Sequence, residues 1–365
     1  MEYRYFFTGF PGFISNQLIR KVLMRNENNG IVYVLVLPSM LKRAEAERAE
    51  IIRDLQLKEE QFQIIEGDIT KPSLAIEEKW SQTLVETITH VFHLAAIYDL
   101  AVPRALAFLV NVTGTKHVNE WATNIKNLNR YIYFSTAYVA GLREGKLYEH
   151  ELIKPRAFKN YYEETKYEAE VLVEGLKEQL PITIIRPGIV KGHSKTGETT
   201  KFDGPYFILN VLDRLRFLPL LPRIGMSDEV INLVPIDYIL EATAYLSFFE
   251  GGVSKTYHLT DPNPYKVSEI YEMIMHALLN KNPVGRLPLS IAKLALKIKL
   301  LRKSLGCEKE ALDYFTWKGT FDCTQAQADL LHSQISCPDF KDGVPAMVEF
   351  YLQNKDNPTY HIVIQ

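Results

Sequence analysis

The chain has 365 residues, of which 47% are hydrophobic and 24% are charged, and its formal net charge is −2. These proportions are ordinary for a globular protein, and a charge so close to neutral argues against the broad basic surface that nucleic-acid binding usually needs. At roughly 150 residues per domain, the length predicts about two domains or one large domain with a lid.

The cysteines and the N-terminus predict the compartment. Cys307, Cys323 and Cys337 are an odd set without a CxxC pair, which favours reduced thiols and a cytoplasmic location. A strand pattern begins almost at the N-terminus, so we expect no signal peptide. No stretch approaches the ~18 uncharged apolar residues that a membrane-spanning helix needs. We also predict no metal site.

The first half of the chain alternates between short apolar runs and helical patterns. The apolar runs cover residues 3–7, 31–37, 62–65, 90–94, 131–134 and 182–185. The helical patterns between them cover residues 13–24, 41–55, 84–87, 103–121 and 163–176. Continuous apolar strands separated by helices predict an α/β fold with a doubly wound parallel sheet of the Rossmann type.

The pattern changes after residue 186. Prolines and aromatic residues cluster between residues 204 and 222, and helical patterns dominate from residue 238. We therefore expect the sheet domain over residues 1–190, with later returns near residues 231–260. Residues 191–365 would then form mostly a smaller, mainly helical lobe that binds the substrate.

The turn after the first predicted strand has the sequence TGFPGFIS over residues 8–15. Gly9 and Gly12 stand where a tight turn and a close approach to a pyrophosphate are needed, and the next helix would offer free N–H groups to the phosphates. Ser15 replaces a third glycine and is still small enough for helix–strand packing. An ordinary glycine-containing turn would look similar, but the position favours a dinucleotide site. The residues predicted to hold the cofactor here are Thr8, Gly9, Phe10, Pro11, Gly12, Phe13 and Ile14.

The end of the second predicted strand bears on the choice between NADP and NAD. An acidic residue there would bind the ribose 2′-hydroxyl of NAD, but residues 36–39 are VLPS and contain no acid. Ser39, Lys42 and Arg43 could instead bind a 2′-phosphate, although the two basic residues could equally begin a solvated helix. We therefore favour NADP(H) as the cofactor, with NAD(H) as the alternative.

The ends of the third and fourth predicted strands supply further candidates for cofactor binding. Asp68, followed by Ile69, could accept a hydrogen bond from the adenine amino group or could cap the next turn. The run Leu94, Ala95 and Ala96 contains small residues that would let the chain pass close beneath the cofactor, or that would simply pack.

A Tyr-x-x-x-Lys pattern places both side chains on one helix face, where the ammonium can lower the pKa of the phenol. The pattern occurs at Tyr162/Lys166, Tyr314/Lys318 and Tyr351/Lys355. Only the first pair lies on the helix after the fifth predicted strand and follows a hydroxyl-rich strand end. We therefore expect Tyr162 and Lys166 to be catalytic, and the other two pairs to be surface or packing residues.

Four residues would share the chemistry. Thr136 would hydrogen-bond a substrate carbonyl or oxyanion, and Tyr162 would donate the proton while hydride arrives from the nicotinamide. Lys166 would hold the nicotinamide ribose and tune Tyr162, and Asn111 would anchor a water that leads protons to Lys166. In the structural alternative, Thr136 caps a turn and Asn111 packs within its helix.

Seven short motifs occur in the order found in the extended short-chain dehydrogenases/reductases, which the chain resembles over roughly residues 3–260. The motifs are TGxxG at 8–12, GD at 67–68, HLAA at 93–96, NVxGT at 111–115, STAYV at 135–139, YxxxK at 162–166 and RPG at 186–188. Residues 134–141, 232–238, 257–260 and 313–322 look most like the branch of fatty acyl-CoA reductases and thioester reductases, whose NAD-binding domain is of the male-sterility type.

The resemblance implies a Rossmann domain, NADPH, and reduction of an acyl thioester to an aldehyde or onward to an alcohol. In such enzymes hydride adds to the thioester carbonyl, a hydroxyl residue and a tyrosine stabilise the oxyanion, and the thiol then leaves. The residues that carry over are Thr136, Tyr162 and Lys166 as the catalytic triad and Pro187, Gly188 and Ile189 beside the cofactor. Leu37 stands where the branch often has an arginine. We expect no carrier domain within the chain, so the thioester would come from coenzyme A or from an acyl carrier protein.

Two apolar segments, residues 205–209 and 217–221, follow the sheet domain. They could line a tunnel for the acyl chain or form the core of the smaller lobe, and the second interpretation is favoured for most of their residues. The residues predicted to contact the substrate are Thr136, Tyr138, Tyr206 and Phe207.

Residues 291–303 have the pattern of a basic amphipathic helix. Ile291, Leu294, Ile298, Leu301 and Leu305 form one apolar stripe. The basic face could contact the phosphates of coenzyme A, a carrier protein or an anionic membrane surface. We favour the simpler arrangement, a packed helix with a solvated basic face.

Other functions of the same fold stay open. A nucleotide-sugar epimerase or dehydratase would retain bound NAD, and a simple aldehyde or ketone reductase would use the same catalytic residues. A non-catalytic NADP-binding regulator would bind the cofactor without turnover. A homodimer is compatible with the sequence.

Overall fold

The computed structural model describes residues 3–98, 102–224 and 228–362. The strands are β1 Tyr3–Thr8, β2 Gly30–Val36, β3 Phe62–Glu66, β4 His90–His93, β5 Arg130–Phe134, β6 Gly145–Leu147, β7 Ile182–Pro187, β8 Ile189–Lys191, β9 Arg223–Ile224, β10 Leu233–Pro235, β11 Thr256–Leu259, β12 Arg286–Leu287 and β13 Gly319–Phe321. The helices are α1 Phe13–Arg25, α2 Leu41–Leu55, α3 Glu78–Thr87, α4 Arg104–Ala107, α5 Gly114–Ala122, α6 Tyr161–Glu174, α7 Tyr206–Arg214, α8 Ile236–Leu246, α9 Val267–Leu279, α10 Leu289–Ala295, α11 Lys299–Leu305, α12 Thr324–Leu330 and α13 Phe340–Asn354. A π-helical stretch, Phe108–Thr113, joins α4 to α5.

The main sheet has, within the described ranges, seven parallel strands in the order β11-β7-β5-β4-β1-β2-β3. From β1 the chain first builds outward through β2 and β3, and it then crosses to β4 on the other side of β1. This is the doubly wound arrangement, whose crevice opens at the carboxyl ends of the strands where the order reverses. The predicted α/β class of fold and its six strand patterns are confirmed, and the edge strand β11 was missed.

Successive side chains of each strand pack on opposite faces of the sheet. On β1, Tyr5 and Phe7 face the core that α1 and α8 complete, whereas Phe6 stacks near Trp121 of α5 with ring centroids 4.3 Å apart. Burying one such aromatic side chain stabilises the fold by about 1.5–3 kcal/mol. Two layers of helices therefore hold the strand ends in place from both sides.

A second core lies in the helical lobe, where α7, α9 and α13 pack around Phe202, Leu209 and Ile274. Two later elements return to the sheet domain: β11 pairs with β7, and α8 packs on α1. The short pairs β8–β10 and β6–β13 link segments of the two halves. A domain boundary near residue 190 stays a prediction.

The predicted amphipathic helix is wrong in two respects. The segment forms two short helices, α10 and α11, and Ile291, Leu294 and Ile298 of the predicted packing stripe are exposed. The backbone of Ile298 is extended, so the two halves do not share one face. Ala292 and Leu296 make the contact with the lobe instead. No helix in the described part of the chain is long and apolar enough to cross a membrane.

Candidate active site

The site lies where β1, β4 and β5 end side by side. Thr8 is paired with His93 across β1 and β4, and His93 is paired with Tyr133 across β4 and β5. The glycine-rich turn, the loop after β4 and the Ser135–Thr136 segment therefore leave the sheet at the same edge. Such an edge is where ligands bind in open α/β sheets.

The glycine-rich turn is shaped for a close approach. Gly9 has a φ of +90°, and a Cβ added there would lie 2.8 Å from the Ala95 nitrogen. A Cβ on Gly12 would lie 2.6 Å from the Gly9 carbonyl oxygen, which accepts the Gly12 N–H at 2.8 Å. Only glycine fits both positions without moving the turn away from the loop after β4.

The start of α1 fits a dinucleotide phosphate. No side chain caps its N-terminus, and its first turn contains no acidic residue. Its first N–H groups and the positive end of the helix dipole can therefore bind an anion. Gly12 is exposed and Phe13 and Ile14 are half-buried beside it, whereas Phe10 is buried against Phe62, so Phe10 can offer a ligand only its backbone.

Ser39, Lys42 and Arg43 lie exposed just beyond the end of β2. Arg43 Nε is 3.7 Å from Glu47 Oε1, and the same carboxylate accepts a hydrogen bond from Asn16 Nδ2 at 2.6 Å. These contacts hold the start of α2 against α1, next to the glycine-rich turn. Binding of a 2′-phosphate by the three residues stays a prediction.

The remaining residues predicted to bind the cofactor lie at the ends of β3, β4 and β7. Asp68 Oδ1 accepts the Thr70 N–H at 2.8 Å, which is the turn-capping role that the sequence left open. Ile69 is buried, and its carbonyl accepts a hydrogen bond from the His117 ring. Leu94, Ala95 and Ala96 are half-buried in the loop beside Gly9. Pro187 is the last residue of β7, Gly188 follows it, and Ile189 begins β8.

Gly188 is buried, and a Cβ there would lie 2.7 Å from Asn232 Oδ1. Its packing against Asn232 is enough to require glycine. Contact of residues 187–189 with a cofactor therefore stays a prediction.

Helix α6 positions the predicted Tyr–Lys pair. The Asn160 side chain accepts the Glu163 N–H at 2.9 Å and so caps the helix, and two acidic residues in the first turn favour its dipole. Tyr162 therefore stands in the first turn and Lys166 one turn later. The Tyr162 hydroxyl lies near the Thr136 hydroxyl, close enough for Thr136 to lower the pKa of the phenol.

The pKa of Tyr162 differs from the expectation. Burial raises this pKa, and the nearby Thr136 hydroxyl lowers it only in part. The Lys166 ammonium instead donates to Phe134 O at 2.6 Å and to the Tyr133 hydroxyl at 2.9 Å. Burial lowers the pKa of Lys166 to about 7. In the cofactor-free protein, Tyr162 is thus a neutral donor and Lys166 is close to losing its proton at neutral pH.

Thr136 and Ser135 have separate tasks. Ser135 Oγ donates to Glu170, whose carboxylate also accepts Arg186 Nε at 2.8 Å, so this hydroxyl belongs to a buried ion-pair network. Thr136 Oγ1 accepts the Tyr138 N–H at 3.3 Å and is oriented toward Tyr162. Only one of the two neighbouring hydroxyls is therefore placed for chemistry.

The Asn111 side chain hydrogen-bonds with the loop after β4 and with α6, and its predicted role of anchoring a water that leads protons to Lys166 stays a prediction. Its side chain accepts the Ile97 N–H at 2.8 Å and donates to Ile97 O and to Thr165 Oγ1, each at 3.0 Å. It thereby ties the loop after β4 to α6. Asn111 lies in the π-helical stretch, and such stretches are frequent at functional sites.

Sequence reasoning missed a polar chain behind Lys166. Thr115 Oγ1 donates to Asn111 O at 2.6 Å, so it must accept from His93 Nε2 at 3.0 Å. His93 Nδ1 then accepts from Thr8 Oγ1 at 2.7 Å, and burial lowers the pKa of this histidine to about 3. The Tyr133 hydroxyl also lies near Thr115, which lowers the pKa of this buried phenol in part. Lys166 is thus linked to the glycine-rich turn through uncharged groups. The hydrogen bonds between His93, Thr115 and Thr8 allow only one placement of their protons.

His93 and Thr115 of this polar chain could be recognised in the sequence, because they belong to the HLAA and NVxGT motifs. Tyr133 carried no signal, because it lies inside a strand pattern of apolar residues.

The predicted substrate residues other than Thr136 lie in packed regions, and their contact with a substrate stays a prediction. Tyr138, Tyr206 and Phe207 are buried in packed clusters and do not line an open tunnel. The Tyr206 hydroxyl donates to Gly197 O at 3.2 Å, and Phe207 packs on α10. Tyr206 and Phe207 therefore belong to the core of the lobe, which is the alternative that the sequence favoured. The physical reason is that large apolar side chains satisfy packing first.

The other two Tyr-x-x-x-Lys pairs belong to packing. Tyr351 is buried in the lobe, and Lys355 binds Asp213 at 3.0 Å. Tyr314 is also buried, but it donates to Glu163 Oε1 at 2.8 Å, so it reaches the first turn of α6. No cluster of metal-ligating side chains occurs among the described residues.

Comparison with known proteins gives consistent similarities. A family model described as male sterility protein matches residues 7–243. The chain is 29% identical to fatty acyl-CoA reductase wat of Drosophila melanogaster over 271 residues, 65% of this chain and 52% of that protein. It is 28% identical to fatty acyl-CoA reductase 1 of Gallus gallus over 324 residues, 76% of this chain and 61% of that protein. It therefore spans about half to three fifths of these relatives.

Among solved structures, the terminal R domain from the myxalamid PKS-NRPS biosynthetic pathway has a TM-score of 0.80 and 25% identity. The match covers 97% of this chain and 91% of that domain. The similarity thus includes the helical lobe as well as the sheet domain.

Proposed function

This chain belongs to the male sterility protein family, within the extended short-chain dehydrogenases/reductases, and we propose on that basis that it reduces an acyl thioester with NADPH. The product would be the aldehyde, with onward reduction to the alcohol as the alternative outcome. The acyl group would be presented on coenzyme A or on an acyl carrier protein. The names of the similar reductases support this substrate class.

The observation that carries the proposal is the proximity of the Thr136 and Tyr162 hydroxyls at the end of β5. Two hydroxyl donors that converge on one point can stabilise the oxygen of a carbonyl as it becomes an oxyanion. Because burial raises the pKa of Tyr162, its phenol keeps its proton at neutral pH and can give it to that oxygen. A bound nicotinamide cofactor would supply the hydride.

The reaction balances without a further reactant. With hydride supplied to the thioester carbon, the carbonyl oxygen would take the Tyr162 proton to give a hemithioacetal. The carbon–sulfur bond then breaks as the hydroxyl proton returns to the phenol, and the thiolate takes a proton from solvent. Thr136 holds the same oxygen throughout. Lys166 would bind the nicotinamide ribose from the position that Phe134 and Tyr133 now give its ammonium.

The preference for NADPH is supported by the end of β2. Ser39, Lys42 and Arg43 are exposed there, and no acidic residue occupies residues 36–39. A 2′-phosphate has a charge near −2, which two adjacent cations would bind more tightly than a neutral hydroxyl. Lys42→Ala with Arg43→Ala should raise the KM for NADPH at least tenfold and leave that for NADH within twofold.

The test is oxidation of NADPH, with NADH in parallel, against acyl-CoAs of graded length, with release of free thiol measured in the same samples. Acyl-dependent oxidation with one thiol released per turnover would support the proposal, and two hydrides per thiol would indicate the alcohol. Oxidation by free aldehydes or ketones alone, or NAD retained through purification with a nucleotide sugar converted, would contradict thioester reduction.

A further inference from the structure

Six large apolar side chains on the helical lobe are exposed. Phe217 and Leu220 lie in the loop after α7, and Ile291, Leu294, Ile298 and Leu300 lie on α10, α11 and the turn between them. The exposed fraction is 77% for Phe217 and 80% for Leu300. Single exposed apolar residues are normal, but a group in one region marks an interaction surface.

The elements that contain these side chains are joined to each other. Val284 N donates to Leu221 O at 2.9 Å, and β9 pairs with β12. Ala292 and Leu296 of the α10 segment pack on Phe207 of α7, and α11 also contacts α7. The loop after α7, α10 and α11 therefore border one region, called the lobe surface below.

The lobe surface is basic, although the whole chain has a formal net charge of −2. Residues 281–306 contain seven lysines and arginines, and residues 214–224 contain three arginines. Of these cations, Arg216 forms an ion pair with Asp213, Arg223 with Glu272 and Lys293 with Asp313. Lys297, Lys299 and Lys303 are exposed, and no ion pair joins them to a residue that the structure describes. The charge of these three lysines is thus left for a partner to neutralise.

We propose that the lobe surface binds an anionic phospholipid bilayer. Apolar side chains that project singly from a loop and two short helices can each enter the headgroup boundary, and the lysines beside them can reach the lipid phosphates. A protein partner would instead require a packed apolar centre with few charges. The sequence-based preference for a packed stripe is replaced, because Ile291, Leu294 and Ile298 have no protein layer over them within the described residues.

Vesicle sedimentation of the full chain tests the proposal without use of enzymatic activity. We expect binding to vesicles of phosphatidylcholine with one third phosphatidylserine, weak binding to phosphatidylcholine alone, and loss of binding as salt rises. Lys297→Gln with Lys299→Gln and Lys303→Gln should lower the partition coefficient about a hundredfold, since each basic residue near an anionic surface contributes about fivefold. Lys58→Gln with Lys71→Gln and Lys126→Gln is the matched control on the sheet domain and should bind normally.

The apolar contribution has its own variants. Phe217→Ser with Leu300→Ser should lower partition at least tenfold, because two large side chains would no longer leave water. Leu331→Ser removes an equally exposed leucine, 72% exposed, from the turn after α12 and should change nothing. Thermal unfolding of each variant separates lost binding from lost folding.

Three results would overturn the proposal. The first is no sedimentation with anionic vesicles at low salt, and the second is binding that the lobe-surface variants leave unchanged. The third is a lobe surface that associates with a second copy of the chain or with an acidic carrier protein, detected as an association that Phe217→Ser with Leu300→Ser abolishes while vesicles do not bind. Each of these results is independent of whether the chain reduces a thioester.

Discussion

Two buried lysines lie seven residues apart, Lys159 just before α6 and Lys166 within it. A carboxylate lies beside the first ammonium, whereas neutral oxygen atoms accept the hydrogen bonds of the second. Lys159 Nζ lies 3.4 Å from Glu163 Oε1 and donates to Gly141 O at 2.9 Å. The ammonium also lies within 4.5–5.4 Å of the ring centroids of Tyr138, Tyr314 and Trp317. A carboxylate, a carbonyl and three aromatic faces therefore surround this cation.

Lys166 has neutral oxygen atoms as hydrogen-bond acceptors, the carbonyl of Phe134 and the hydroxyl of Tyr133. Glu170 raises its pKa from a distance, but burial outweighs that effect. A buried cation without a contacting anion is typical of a functional site, where it is available to a ligand. A cation surrounded by compensating groups is typical of a structural role. Two buried lysines near one helix can therefore have different roles, and the groups that contact each ammonium show which role it has.

The aromatic cage around Lys159 also joins the C-terminal part of the chain to the active site. Tyr314 and Trp317 come from the segment before β13, and Tyr138 follows Thr136 in the loop after β5. The late motif at residues 313–322 thus packs against the catalytic loop. Its structural role is to hold that loop and the first turn of α6 together.

The largest expected effect belongs to Tyr162, which lies between the two lysines in sequence. Tyr162→Phe should lower kcat about a thousandfold, since positioned acid–base groups contribute roughly 10²–10⁴-fold. NADPH binding, measured by fluorescence titration, should stay within threefold. Tyr351→Phe removes the hydroxyl of a buried tyrosine from another Tyr-x-x-x-Lys pair and should keep kcat within twofold. Equal activity of both variants would contradict the site.

Replacing each lysine by methionine separates the two roles. Lys159→Met should lower the free energy of unfolding by about 3–5 kcal/mol, because it leaves Glu163 buried without its cation. Lys166→Met should change that free energy by less than about 1 kcal/mol, because it removes a desolvated charge that no contacting anion compensates. It should nevertheless abolish turnover.

Denaturant unfolding followed by fluorescence measures both lysine variants. Lys159→Met with Glu163→Gln is the control and should recover part of the lost stability, since the uncompensated carboxylate is gone. The assignment fails if Lys166→Met proves the less stable of the two single variants.

Tyr133 tests whether the neutral partners of Lys166 matter. Tyr133→Phe removes the hydroxyl that joins Lys166 to Thr115, and we expect kcat to fall about tenfold with a shift in the pH profile, because one charge-assisted hydrogen bond contributes about 1.5–3 kcal/mol. Tyr131→Phe is the matched control on the same strand, since its hydroxyl donates to Asn119 Oδ1 at 2.7 Å, away from the site. Both should lose about 1 kcal/mol of stability, so only the first should change the pH profile.

The smallest effect is on the pH dependence of stability. Burial lowers the pKa of Lys166 from its ordinary value of 10.5 to about 7. Between these values the unfolded chain binds a proton that the folded protein does not, so this group makes stability rise with pH. Between pH 7 and 8 the cofactor-free protein should gain about 1 kcal/mol from it. Melting temperatures of Lys166→Met should lack this increase, and identical slopes for the two proteins would contradict the shift.

Much of the site could be predicted because its residues occupy local patterns. Gly9 and Gly12 are required by the turn itself, and Tyr162 and Lys166 share a helix face by their spacing. The partners of these residues could not be predicted. Thr8 meets His93, 85 positions away, and Tyr314 meets Glu163, 151 positions away, and no local pattern records such distances.

The same limit applies to two predictions about apolar residues. Tyr138, Tyr206 and Phe207 have the composition of a substrate pocket and of a core alike, and only their neighbours decide between these. Ile291, Leu294 and Ile298 have helical spacing, but a break at Ile298 separates the face that the spacing assumes. The spacing of apolar residues predicts which side chains could be buried on one face. It does not predict whether another element packs over that face.

The amino-acid sequence by itself determined the parallel sheet, the glycine-rich turn and the Tyr–Lys pair, because strand and helix periodicity, positive φ and one-turn spacing are local properties. The tertiary structure alone decided which hydroxyl of Ser135 and Thr136 meets Tyr162 and which lysine is left without an anion. It also decided that apolar side chains and three lysines, unpaired among the described residues, lie exposed on the helical lobe. These three outcomes depend on burial and on partners from distant segments, and both are set only when the elements pack.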